Sequence, residues 1–105
     1  MAKKNTVRVN PSTGNVFRDL GFSKEEAEHL LVRADLLIQV QKAIASRGLK
    51  QAEAAKTLRV TQPRVSDLLR GRIDLFSTDA LIDMLARLGV GVRLVVRPAK
   101  TRNVA

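Results

Sequence analysis

A mainly α-helical domain closed by one C-terminal strand is the fold class this sequence predicts, and three observations predict it. Apolar residues recur at helical spacing from Ala27 to Ile44 and again from Leu81 to Leu88. Between these stretches, Gln51 to Arg70 holds two short helical patterns separated by a corner. After Gly89 the pattern changes: Val90 to Arg97 is dense in β-branched residues and stops at Pro98, which reads as a strand. At 105 residues a single domain is expected, and 45% hydrophobic residues with only 3% aromatic predict an aliphatic core.

Taken in chain order, residues 1 to 14 are polar, contain Pro11 and Gly14, and read as a flexible basic arm. The folded domain is expected over 15 to 98, with a basic tail over 99 to 105. A short turn is possible at Asn15 to Leu20, and Ser23 followed three residues later by Glu26 makes a capping box. The helix it opens places Ala27, Leu30, Leu31, Ala34, Leu37, Ile38 and Ile44 on its apolar face and ends at Gly48, a natural left-handed C-terminal residue. Gly71 closes the second motif helix, and Ser77 opens a last helix through Leu81, Ile82, Met84, Leu85 and Leu88. Phe17, Phe22 and Phe76 are each expected in the core.

The Gln51 to Arg70 run spells a helix-turn-helix. Ala54, Ala55, Leu58, Val60, Val65 and Leu68 let two short helices bury one shared face, and the small Ala55 permits a close crossing. Thr61 is placed as an N-cap, and Pro63 falls in the first turn, where its missing N–H costs nothing. Gln62, Arg64, Ser66, Asp67 and Arg70 lie on faces that Val65, Leu68 and Leu69 leave free. These are residue types suited to duplex DNA: Gln bonds adenine bidentately, Arg bonds guanine or phosphate, and Ser serves either. Asp67 either accepts from a cytosine amino group or pairs with Arg64 or Arg70; the pair is the simpler reading.

Such a corner also occurs in proteins that never touch DNA, and charge argues against that reading here. The chain carries a net charge of +9 and a pI near 11.1. The excess is uneven. Ser23 to Ser46 is slightly acidic, whereas Arg59, Arg64, Arg70 and Arg72 face a single Asp67, and further cations stand at Lys3, Lys4 and Arg8 and at Arg93, Arg97, Lys100 and Arg102. Phosphate contacts are therefore expected from Lys50, Arg59 and Arg72, with Thr61 and Arg70 also placed at the DNA backbone and Gln62, Arg64 and Ser66 reading bases.

Other classes fare worse. No run approaches the roughly 18 apolar residues of a spanning helix, and no signal-peptide core opens the chain, so a cytoplasmic protein is expected, consistent with zero cysteines. His29 is the only histidine and has no Cys beside it, so a solvated surface role is preferred and neither metal nor cofactor is expected. An enzyme is not expected: there is no Cys, Tyr or Trp, no second His, and no glycine-rich phosphate loop. RNA lacks an aromatic stacking platform, so duplex DNA fits better. A strand at Val90 to Arg97 needs a partner, either Thr6 to Val9 of the same chain or the same strand of a second copy. The second copy is favoured, since the resulting homodimer would match palindromic half-sites about 34 Å apart.

The segment Gly14-Asn15-Val16-Phe17-Arg18-Asp19-Leu20-Gly21, the run Gln51 to Ala55, the run Gln62 to Gly71 and the strand ending Val96-Arg97-Pro98 together resemble, in order, the Xre-type regulators and in particular the HigA-like antitoxin group. The resemblance implies a five-helix, lambda-repressor-like domain that binds its operator as a dimer, represses its own operon and often holds a toxin protein. It also implies a phosphate contact at Gln51, base reading at Gln62 and Ser66, and groove or backbone contacts at Arg64 and Arg70. The alternative is a protein-interaction module that neutralises a toxin or other partner, with DNA binding secondary. Two departures from the pattern stand out. Arg59 occupies a corner where Gly is frequent, which would hold a bulky residue in the left-handed region, and Lys50 replaces the usual Ser or Thr cap.

Overall fold

The structure, a computed structural model, describes residues 5–9 and 20–96. The elements are β1 (Asn5–Val9), α1 (Lys24–Ser46), α2 (Gln51–Leu58), α3 (Gln62–Leu69), a 3-10 turn (Ile73–Leu75), α4 (Thr78–Arg87) and β2 (Val90–Leu94). Among the described residues there are four α-helices, not the five expected; the possible turn at Asn15 to Leu20 lies, except for Leu20, outside them.

Local chemistry sets the helix ends. The Ser23 hydroxyl accepts from the Glu26 N–H at 3.1 Å and the Glu26 carboxylate accepts from the Ser23 N–H at 3.2 Å, the reciprocal box that starts α1. Past its end, Gly48 takes φ +63°, a conformation any Cβ would strain. Ser77 caps α4 by accepting from the Ala80 N–H at 3.1 Å.

α1 is the rail on which the rest is laid. Its buried residues Leu36, Leu37, Val40 and Ile44 pack with Leu81, Met84, Leu85 and Leu88 from the α4 region, while Ala54, Ala55, Leu58, Val65 and Leu68 bring in the two motif helices. Phe76 joins this core, 1% exposed. Each fully buried Leu or Phe contributes about 1.5–3 kcal/mol by removing apolar area from water. The helical phase of α1 differs from expectation in its second half: Leu36 and Val40 are core residues, whereas Ile38 is exposed. Leu36-Leu37-Ile38 are consecutive and apolar, so spacing alone leaves the phase open and packing on α4 decides it. Phe22, expected inside, is 41% exposed; Phe17 lies outside the described residues.

The strand region brings the larger corrections. Asn5–Val9, within the stretch read as a flexible basic arm, is a strand, and it pairs with β2 in parallel from Asn5↔Val90 to Val9↔Leu94. The partner is thus the segment of the same chain, not the favoured second copy. Thr6, Val7 and Val9 are β-branched, and an open ladder edge on β2 is satisfied by any compatible strand the fold can bring beside it. β2 also ends earlier than expected, at Leu94; Val95 and Val96 follow without strand pairing, and Arg97 lies outside the described residues. Val90 is buried in the core and Val92 packs against it, so the two-stranded ribbon closes over α1 and α4.

Candidate nucleic-acid interface

The motif begins at Lys50, whose extended backbone (φ −77°, ψ 165°) precedes α2. A lysine side chain has no acceptor to offer the helix, so only the reverse bond forms: the Glu53 carboxylate accepts from the Lys50 N–H at 2.8 Å. The ammonium and the Gln51 amide are left exposed at the positive end of the helix dipole.

At the other end of α2, Arg59 stands at φ 60°, ψ 44°, the left-handed conformation anticipated for this corner. The Val60 N–H donates to the Ala55 carbonyl at 3.0 Å and the Arg59 N–H to the Lys56 carbonyl at 3.3 Å, the bond pair of a Schellman closure. Val60 then packs on the core. Holding a non-glycine residue there costs about 1 kcal/mol, and the closure absorbs it. Arg59 itself is exposed, separated from Lys50 by the length of α2, about 12 Å.

Thr61 caps α3: its hydroxyl accepts from the Arg64 N–H at 3.3 Å. Pro63 sits in the first turn. Val65 and Leu68 point into the core, which leaves Gln62 exposed and Ser66 half-buried one turn later on the same face. Leu69, expected to be covered, is 39% exposed and extends that face beyond Ser66. Sequence spacing missed it because a Leu-Leu pair at a helix end reads as core. Asp67 accepts from Arg70 at 2.8 Å, the structural pair favoured from the sequence, and Asp74 lies 3.7 Å from the Arg72 Nε. Both pairs are at the surface and contribute under about 1 kcal/mol, so both arginines stay free to exchange partners.

Arg64, expected to read a base, makes contacts within the protein: Nη1 donates to the Leu75 carbonyl at 3.0 Å and the head lies 4.3 Å from the centroid of the Phe76 ring. Two further tethers were not visible in the sequence. Gln41 of α1 donates from Nε2 to the Leu68 carbonyl at 2.9 Å, and Arg47, just past α1, donates to the Leu88 carbonyl at 3.1 Å. Both acceptors are carbonyls at helix ends, which lack intrahelical partners; only docking shows which donor reaches them.

The site residues therefore fall into separate groups: Lys50 and Gln51 at the start of α2, Arg59, Thr61 and Gln62 at the corner, and Arg70 and Arg72 beyond α3. His29 is exposed on α1 beside an open depression lined by Phe22, Glu26, Leu30 and Arg33. Among the described residues no three His, Cys, Asp or Glu side chains cluster as metal ligands, and no described helix is long and apolar enough to cross a membrane.

The sequence profile of a family described as "Helix-turn-helix domain" matches residues 16–97. A solved structure provisionally named an XRE family transcriptional regulator is 30% identical, with a TM-score of 0.67 over 76% of this chain and 90% of that one. The chain belongs to the XRE family of helix-turn-helix proteins. No curated protein matches. In this XRE-family chain, α2, the Arg59 corner and α3 are the motif itself, and the groups just described stand on it or at its two ends.

Proposed function

We propose that this XRE-family protein, a helix-turn-helix DNA-binding transcriptional regulator, recognises a specific duplex by laying α3 in the major groove. The observation that carries this reading is the free stripe on α3: among the described residues the side chains of Gln62 and Ser66 bond to no other residue, while Val65 and Leu68 beside them are buried. Gln62 reads a base edge, adenine by preference, Ser66 bonds a base or a phosphate, and Leu69 at the end of the stripe meets a thymine methyl. Lys50, Gln51, Arg59, Thr61, Arg70 and Arg72 bind phosphates on either side and supply affinity that does not depend on sequence.

The operator is read by a homodimer at the gene's own promoter, making the protein an autorepressor. β1 occupies one edge of β2, so a strand-paired dimer uses the edge that has no strand on it among the described residues, where Leu94 is half-exposed and Val96 is 87% exposed. The likeness of Gly14 to Gly21 to the antitoxin group supports a toxin as second partner, and the same apolar residues of the β2 end suit protein binding.

The test is binding of the purified protein to the fragment upstream of its gene and to a shuffled duplex of equal length, across a salt series. Specific recognition predicts that the upstream complex survives salt that releases the shuffled one. Equal, salt-sensitive binding to both would remove the specific reading. Gln62→Ala is expected to lose about 1–3 kcal/mol of discrimination at one base pair while keeping the salt slope.

A further inference from the structure

We propose that Arg64 is a positioning residue: it pins the first turn of α3 to the segment that follows the helix, and so sets the pitch at which Gln62 and Ser66 enter the groove. The inference rests on the duplex-reading role above and refines it. α3 has eight residues, too few to hold a helical conformation unaided, and it buries only Val65 and Leu68 in full. Its orientation must come from what grips its ends. Gln41 grips the last turn through the Leu68 carbonyl. At the first turn the grip is Arg64, whose own N–H is held by the Thr61 cap and whose guanidinium reaches across to the carbonyl of Leu75 and the ring of Phe76.

The platform under that guanidinium is rigid. Phe76 is 1% exposed and packed in the core with Leu68, Leu81 and Leu85, so its ring cannot follow a moving helix. Arginine suits such a seat and lysine does not: a planar, weakly hydrated head can stack on a ring face and donate in its own plane at once, whereas an ammonium is a point charge. With Nη1 on the Leu75 carbonyl and its face on the Phe76 ring, the guanidinium is oriented by the protein itself. Arg64 therefore shapes recognition through the aim of α3.

Two measurements on the full chain test this. In the DNA-free protein, the Arg64 Nε–H resonance is expected upfield, shifted by the Phe76 ring current, and is expected to return to its ordinary position in Phe76→Leu. An unshifted resonance in the wild type would overturn the seat. For function, a library of duplexes with a randomised centre is selected against wild type, Arg64→Lys, Arg64→Ala and Gln62→Ala. Arg64 is half-exposed, so its variants are expected to fold, and a circular dichroism melt checks this. Both Arg64 variants are expected to bind the wild-type consensus about tenfold more weakly, with preferences flattened together at all positions, because pitch is shared by the whole stripe. Gln62→Ala should flatten one position. A loss confined to one base pair in Arg64→Ala makes Arg64 a reader, wild-type affinity in Arg64→Lys makes it a mere charge, and either overturns the proposal. If wild type enriches no sequence, duplex reading fails and the positioning role falls with it, while the ring-current result separately reports whether the seat exists.

Discussion

α3 and α4 are neighbours of similar length, both capped by a hydroxyl at the start and both gripped at the end by a donor from the α1 region, yet they are held by different means. α4 buries Leu81, Met84 and Leu85, with Leu88 following directly after it. α3 buries Val65 and Leu68 and relies on polar tethers through Thr61, Arg64 and Gln41. A helix that must leave one face free for a ligand cannot surround itself with apolar area. It is aimed by hydrogen bonds at its ends, which fix direction at little cost in surface. Stability and aim are thus concentrated in different helices.

Substitutions can break that contrast, beginning with the largest effect. Leu81→Ala is expected to cost roughly 2–5 kcal/mol in urea unfolding, because α4 loses transfer free energy and gains a cavity. The surviving folded fraction should still bind DNA with unchanged sequence preference; an altered preference would mean that α4 also aims the site. Gln41→Leu should cost about 1 kcal/mol, the worth of one hydrogen bond, and should speed hydrogen exchange in the last turn of α3 much more than in α4. Uniformly faster exchange would show Gln41 to be a global brace. Smallest is Arg59→Gly, expected to raise stability by at most about 1 kcal/mol through relief of the left-handed corner, offset by the greater freedom of an unfolded glycine. It should also lower affinity for every duplex alike. Destabilisation by this change would mean that the Arg59 side chain supports the corner through packing.

The contrast also explains what could be read from the chain. Ser23 with Glu26, Thr61, Ser77, Gly48 and the left-handed Arg59 act on residues within a turn of themselves, so their roles follow from spacing alone. The tethers made by Gln41, Arg47 and Arg64 reach 27, 41 and 11 residues along the chain to carbonyls that carry no side-chain signal. Arg64 was legible as a residue on the motif, but its residue type fits a base reader equally well, and the seat on Phe76 that supports a positioning role carries no sequence signal. β1 was named as a candidate partner but not favoured, for another reason: Asn5–Val9 is short and set among basic and polar residues, and its partner lies at the other end of the chain.

That partnership has a kinetic side. The register joins Asn5 to Val90, so all four helices lie in the loop that the β1–β2 ladder closes. Loop closure of this size is entropically costly, and pairings of such long sequence separation form late, after the local helical contacts have gathered. Until then Val90–Leu94 lacks β1 on the edge that the native ladder covers. That interval is when a wrong strand from another chain competes best. The ribbon acts as a seal, and the rate at which it closes decides how often a fresh copy finds its own β1 before it finds a stranger.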